Sequence, residues 1–188
     1  TPSNSAIHKY MNVKKVPQLF VATGATKWGD PKNFPWTMGW QPNYQSEGRI
    51  YANFIKTEHP DGKVGILYQN DDYGKDLLQG LKDGLGDKAS MIVAEVPYET
   101  SDPTIDSQII KLKDSGADVL VNIATPKFAA QAIRKVAELD WKPIHTVNNV
   151  SQTVGSLLKP ARLANSNGVR STRSRKGRTE PHRQQDAA

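Results

Sequence analysis

From Lys63 onward the chain alternates short, almost continuous apolar runs with longer stretches whose apolar residues recur every three or four positions. "KVGILYQ" (63–69), "SMIVAEV" (90–96), "ADVLVNIA" (117–124) and "KPIHTVNN" (142–149) have the length and composition of buried strands. Between them, "YGKDLLQGLKDGLGD", "SDPTIDSQIIKLKDSG" and "PKFAAQAIRKVAELD" carry the helical period. The first of these ends at a glycine. The second is predicted to start at a Ser101 or Asp102 cap with Pro103 in the first helical position, and to end at Gly116; the third is entered through Pro126. Upstream, the pattern predicts a helix over 6–15 and a strand over 17–22. A polar loop, "TGATKWGDPKNFP", leads to a short extended piece, "WTMGW" (36–40). A further helix follows, capped by Asn43, with an apolar stripe of Tyr44, Ile50, Tyr51, Phe54 and Ile55, and the chain turns at Asp61-Gly62.

Each connection after Lys63 is long enough to cross over and return, so the strands are expected to be parallel. A parallel sheet needs both faces covered. The expected fold class is therefore α/β: an open, mostly parallel sheet with helices on both faces. After Pro160 neither periodicity survives. The polar, basic stretch 161–188 is expected to be a disordered tail.

Charge refines this picture once it is localised. Seven of the Lys and Arg residues and two of the Asp and Glu lie from Ala161 onward, a net of +5 out of +6, which leaves the first 160 residues at +1. The tail's basic residues are not interleaved with aromatics, so no nucleic-acid partner is expected. The absence of cysteine excludes disulfides, thiolate nucleophiles and cysteine-ligated zinc. No apolar run approaches the ~18 residues of a membrane span, and no signal-peptide pattern opens the chain.

In open parallel sheets, ligands sit beyond the carboxyl ends of the strands. Here that selects the loops at 22–24, 69–74, 124–126 and 148–151. Asp71 and Asp72 resemble the paired acids that hold magnesium in response-regulator receiver domains. The position matching the phosphate-accepting aspartate holds Asn122, however, whose carboxamide forms no acyl phosphate. Acids ahead of a helix more simply cap it. His8, His59, His145 and His182 lack metal-ligand spacing, "TGATKWG" matches no phosphate loop, and no G-x-S-x-G elbow occurs. No catalytic residue, metal site or cofactor is expected, and the protein is not expected to be an enzyme. The loops instead offer neutral hydrogen-bonding groups and aromatics: Thr23, Thr26, Trp28, Tyr73, Thr125, Asn148 and Asn149. Plain loop packing competes as a reading for Trp28 and Tyr73, and local turn bonding for Thr23 and Thr125.

"KVGILYQNDDYGKDLLQGLKDGL", preceded by "TPSNSAIHKYMNVKKVPQLFVATGAT" and followed by "IDSQIIKLKDSGADVLVNIATPKFAAQAIRKVAELDWKP", resembles the periplasmic substrate-binding proteins of leucine/isoleucine/valine-type ABC importers. The resemblance extends from Thr1 to about Pro160. It implies two α/β lobes closing on a ligand across hinge strands. On that basis residues 1–40 are the end of the first lobe with a hinge crossing at "WTMGW", 41–160 an incomplete second lobe and 161–188 the tail. The resemblance also implies a carboxylate held near Thr1, Ala22, Thr23 and Gly24, with Tyr73 closing over the ligand, and Thr125 and Asn149 on the second-lobe side. It places the protein in the periplasm with an ABC permease as partner. A ligand-sensing domain of a receptor or regulator is the alternative reading of the same fold; a receiver-like signalling domain is less favoured.

Where family members that bind amino acids carry an acid to pair the ligand's ammonium, this chain has Asn149, and the second aromatic expected near Ala124 and Thr125 is missing. An unpaired buried ammonium is costly. The expected ligand is therefore a small carboxylate or amino-acid-like molecule, with an aromatic or aliphatic acid or an amide that lacks the α-amino group favoured over an amino acid. The family's full chains are much longer than this one, and the change of character after Pro160 is of the kind that a frameshift or truncated gene leaves.

Overall fold

Residues 1–172 are described by a computed structural model. The first helix, α1 (Pro2–Val13), begins ahead of the expected residue 6 because Thr1 stands at its N-cap and Pro2 supplies a first position where a missing N–H costs nothing. Strands β1 (Gln18–Val21) and β2 (Thr37–Gly39) pair in parallel around a tight turn at Thr26–Gly29. Helix α2 (Tyr44–Glu58) follows, and the Asn43 side chain caps it by accepting from the Gln45 N–H at 2.7 Å.

Among the described residues, the main sheet has five strands, all parallel: β3 (Val64–Gln69), β4 (Ile92–Tyr98), β5 (Val119–Ile123), β6 (Ile144–Val147) and β7 (Arg170–Ser171), in the order β4-β3-β5-β6-β7. Helices α3 (Asp72–Leu85), α4 (Asp106–Asp114) and α5 (Pro126–Glu138) make the crossovers. Alternation along the strands separates two cores. Ile66, Val119 and Val121 meet Ile55 of α2 and Leu77 and Leu81 of α3, while Leu67 and Leu120 meet Leu112 of α4 and Phe128 and Ile133 of α5. The sheet is thus covered on both faces, as its parallel connectivity requires.

Three local expectations are corrected. Ile50 does not belong to the buried stripe of α2: it is 56% exposed, and the stripe runs through Tyr44, Glu47, Gly48, Tyr51, Ala52 and Ile55. Helix α4 starts at Asp106, not beside Pro103. The Asp102 carboxylate accepts from the Glu99 N–H at 2.9 Å and closes a turn there, an alternative that aspartate readily offers the backbone. Regular structure also continues past residue 160. A wide helical turn, Val154–Leu158, runs into α6 (Lys159–Ala161), and a tight turn at Leu163–Ser166 leads to β7, which lies beside β6 with Val147 opposite Ser171. Leu157 and Ala161 are buried in the second core and Val169 packs on it, an anchorage too sparse to register as periodicity. The expected disordered tail therefore begins no earlier than residue 173; residues 173–188 lie outside the described part of the chain.

Helices α2 and α3 approach backbone to backbone. A Cβ on Gly48 would fall within 2.8 Å of the α3 backbone at Leu77, Gly80 and Leu81, and one on Gly80 within 2.6 Å of Gln45. Replacing Gly80 by alanine should lower unfolding free energy by about 1–3 kcal/mol in urea titrations despite its better helix propensity, because the added methyl forces the helices apart. Gly155→Ala, in open space, should stay within about 0.5 kcal/mol.

On β6, buried His145 lies with Nε2 3.1 Å from Asn122 Nδ2, and burial pushes its pKa from 6.5 down to about 4. Unfolded chain takes up a proton below 6.5 that the folded chain refuses, so this contribution is complete above that pH and is lost as pH falls toward 4. Unfolding at a series of pH values should show a decline of roughly 3 kcal/mol across that window, and His145→Gln should flatten it.

Candidate functional site

Strand β3 has β4 on one side and β5 on the other, so the chain leaves β3 and β5 in opposite directions along the sheet. Loops at the carboxyl ends of two such strands diverge and leave a crevice. A cleft of about 400 Å³ opens there. Gln69, Asp71 and Tyr73 line it from the β3–α3 junction, Thr125 from the β5–α5 junction, and Asn149, Val150 and Gln152 from the chain after β6. Thr1, Ala22, Gln41, Pro42 and Tyr44 line the other side.

At the base, hydrogen bonds tie the strand ends together. Gln69 Oε1 accepts from the Tyr98 hydroxyl at 2.9 Å and from Thr125 Oγ1 at 3.3 Å, and the Thr125 N–H donates to the Tyr98 oxygen at 3.1 Å. Gln69 Nε2 donates to Asp71 Oδ2 at 2.8 Å, while Asp71 Oδ1 accepts from the Gly74 N–H at 3.1 Å, which makes Asp71 the cap of α3. Among the described residues Asp71 is the one carboxylate lining the cleft, and both its oxygens are engaged within the protein. Asp72 takes different partners: it pairs with Lys27 at 2.5 Å and accepts from Ser5 Oγ at 3.0 Å, and the Lys27 bond holds its pKa below the ordinary value. The two acids do not share a site.

Tyr73 differs from these satisfied groups. It lines the cleft, is 2% exposed and packs edge-on against Tyr44 with ring centroids 5.2 Å apart. Its hydroxyl is buried and has no hydrogen-bond partner, and burial pushes its pKa far up, so the phenol keeps its proton. Two helix starts also border the cleft, α1 at Thr1 and α5 at Thr125, and neither cap side chain bonds to its own helix. Their first-turn N–H groups and positive dipole ends favour an anion.

Of the residues selected from the sequence, the structure gathers Thr1, Ala22, Tyr73, Thr125 and Asn149 on one cleft. Thr23 and Gly24 stand behind it, lining a neighbouring hollow of about 360 Å³, with the Thr23 hydroxyl 2.6 Å from that of Thr1. Gly24 sits so close to the start of α2 that a Cβ would strike Tyr44 and the Pro42 carbonyl. Trp28 packs with His8 and Phe34 (ring centroids 4.6 Å from His8 to Trp28 and 4.0 Å from His8 to Phe34), the packing alternative weighed for it. Sequence reading selected the loop that begins at Gln69 without assigning Gln69 itself a role, and it missed Tyr98 and Tyr44 as parts of the site. Tyr98 does bring an aromatic hydroxyl to Thr125, but from β4, not from the Ala124 loop. It also missed Glu47, whose signal was an acid on the apolar stripe of α2.

The cleft lining holds tyrosines, amides, a threonine pair and one engaged carboxylate, a set suited to gripping a small molecule. Among the described residues, no three His, Asp or Glu side chains come together as a metal-binding group.

Over residues 1–186 the sequence matches a family model described as periplasmic binding protein. No curated protein matches the chain. Solved structures of similar fold include an extracellular ligand-binding receptor from Rhodopseudomonas palustris HaA2, with a TM-score of 0.80 at 17% identity over 90% of this chain and 46% of that one. A fatty acid ABC transporter substrate-binding protein from Thermomonospora curvata matches with a TM-score of 0.76 at 20% identity, covering 90% of this chain and 43% of its own. A branched chain amino acid ABC transporter from Thermus thermophilus with bound valine has a TM-score of 0.76 at 14% identity, with 90% and 44% covered. The chain spans less than half the length of these structures, and at such identities the likeness is one of fold.

A buried hydroxyl without a partner costs about 1–3 kcal/mol. Tyr73→Phe should therefore raise, or at least not lower, the unfolding free energy of the ligand-free protein, as read by thermal and urea unfolding; a loss above about 1 kcal/mol would show that the hydroxyl is already satisfied.

Proposed function

The chain belongs to the periplasmic binding protein family, and on that footing we propose that it is part of a non-catalytic solute-binding protein that holds a small carboxylate or amide in the cleft beyond the carboxyl ends of β3, β5 and β6. The observation carrying this reading is a cleft bordered by two helix starts, at Thr1 and Thr125, whose one lining carboxylate among the described residues, Asp71, is already doubly engaged. Among the described residues, no free carboxylate lines the cleft to meet an ammonium. The helix starts at Thr1 and Thr125 supply donors and a favourable potential for an anion.

In this reading, residues 1–40 belong to a first lobe and its hinge, with β2 as the crossing strand, and the five-stranded sheet belongs to a second lobe. Thr1 and Ala22 contact the solute from the first, backed by Thr23 and Gly24, and Tyr73, Thr125 and Asn149 from the second. The complete protein would work outside the cytoplasmic membrane and deliver its solute to an ABC permease. Binding an acid without an α-ammonium follows from the neutral Asn149 and from the engaged Asp71.

Calorimetric titration with aromatic and aliphatic monocarboxylates, their amides, and leucine and valine tests the assignment. Simple acids or amides should bind and α-amino acids should not. Preferential binding of leucine or valine would overturn the choice of ligand.

A further inference from the structure

Glu47 lies on the buried side of α2, 6% exposed, outside the lining of the cleft. Its Oε1 accepts from the backbone N–H of Asn149 at 2.7 Å and from the Thr172 hydroxyl at 2.8 Å, and it lies 2.9 Å from the Tyr51 hydroxyl oxygen. That same phenol oxygen is 2.8 Å from the carbonyl oxygen of Val147. Oε2 is buried with no partner.

Glu47 Oε1 accepts from three donors, the Asn149 N–H, Thr172 and Tyr51, and Tyr51 shares its single proton with the Val147 carbonyl. A proton on Glu47 therefore sits on Oε2, the oxygen that receives nothing. A buried carboxyl oxygen without a partner is tolerable in a neutral acid and costly in an anion. Burial pushes the Glu47 pKa up, against the hydrogen bonds from Asn149, Thr172 and Tyr51. Around it, Tyr51 comes from its own helix and Tyr73 from α3 is close enough to sense its charge, while β6 and the segment after it present a carbonyl, an amide and a hydroxyl. None of these described neighbours is a cation.

The consequence reaches the cleft through Asn149 and Val150, both of which line it. On one side this segment is anchored to β5, where the Asn148 side chain donates to the carbonyl of Ala124 at 3.0 Å and the Ser151 hydroxyl to the same carbonyl at 2.5 Å. Toward α2 it is held at Asn149 N–H by Glu47. We propose that Glu47, as a neutral acid, is a positioning residue for the cleft, fixing the Asn149–Val150 wall at the distance from α2 that the solute requires. The role in solute binding rests on the proposed function above; the proton and the anchored amide do not.

The test uses the full 188-residue chain. In the unsubstituted protein, NMR titration with carboxyl-labelled glutamate should find Glu47 protonated above the range of the other glutamates. Hydrogen exchange should find the Asn149 amide protected, about tenfold less so in Glu47→Ala, the equivalent of one lost hydrogen bond, and protected again in Glu47→Gln, whose carboxamide oxygen still accepts. Affinity for whichever carboxylate or amide binds should fall about tenfold in Glu47→Ala and recover in Glu47→Gln. A Glu47 that titrates with the other glutamates, an Asn149 amide unchanged in the alanine variant, or unchanged affinity there would each overturn the proposal. If nothing in the panel binds, the solute-binding reading fails, while the titration and amide exchange still decide the state of Glu47. The titration needs no variant, so a Glu47→Ala chain that does not fold leaves it decisive.

Discussion

Parallel pairing forces every carboxyl end of the main sheet onto one rim, and the position of β3 between β4 and β5 forces the chain to part there. The cleft follows from these two facts before any side chain is considered. Since the central strands β3 and β5 are buried on both faces and paired along both edges, their backbone polar groups are consumed by their neighbours, and recognition passes to the loops just beyond the strand ends. Gln69, Tyr98 and Thr125 show how those ends are kept in register: three side chains from three adjacent strands or their ends form one hydrogen-bonded base.

Helix α2 is the second determinant. Its small residues let it lie almost in backbone contact with α3, which carries Tyr73 at its start, and Tyr44 at its own first turn packs against that ring. Distance across this part of the cleft is therefore set by glycines about one and two helical turns away from it, Gly48 and Gly80. One helix turn on, Glu47 holds the chain after β6 from the same rigid body. Orientation of two cleft walls thus depends on a single helix whose outer face is ordinary and polar.

Sequence alone carried the alternation of strands and helices, the cap at Asn43 and the helix end at Gly116, because each leaves a local mark: a period, a capping residue, a glycine with positive φ. Tyr73 could be singled out because it opens a helix directly after a buried strand. The rest was hidden for physical reasons. Asp102 satisfied the pattern of a cap yet bonded to Glu99, since aspartate serves turns and helices equally well. Leu157, Ala161 and Val169 anchor the chain after α5 at intervals that match no regular period. Glu47 showed locally only as an acid on an apolar stripe, and the partners that it and Gln69 bond, distant along the chain, leave no trace in a window of neighbours.

That distance bears on biosynthesis. Glu47 reaches across 102 residues to Asn149 and across 125 to Thr172. Contacts of such separation form late, since the loops they close are entropically expensive until the intervening sheet has assembled. While the chain emerges from the ribosome, α2 and α3 can pair long before Thr172 exists, and Glu47 waits in a half-built core. Its ability to remain uncharged suits that interval, because a neutral acid is far cheaper to bury without partners than an anion. The Asn149–Val150 wall of the cleft is thereby fixed later than the pairing of α2 with α3.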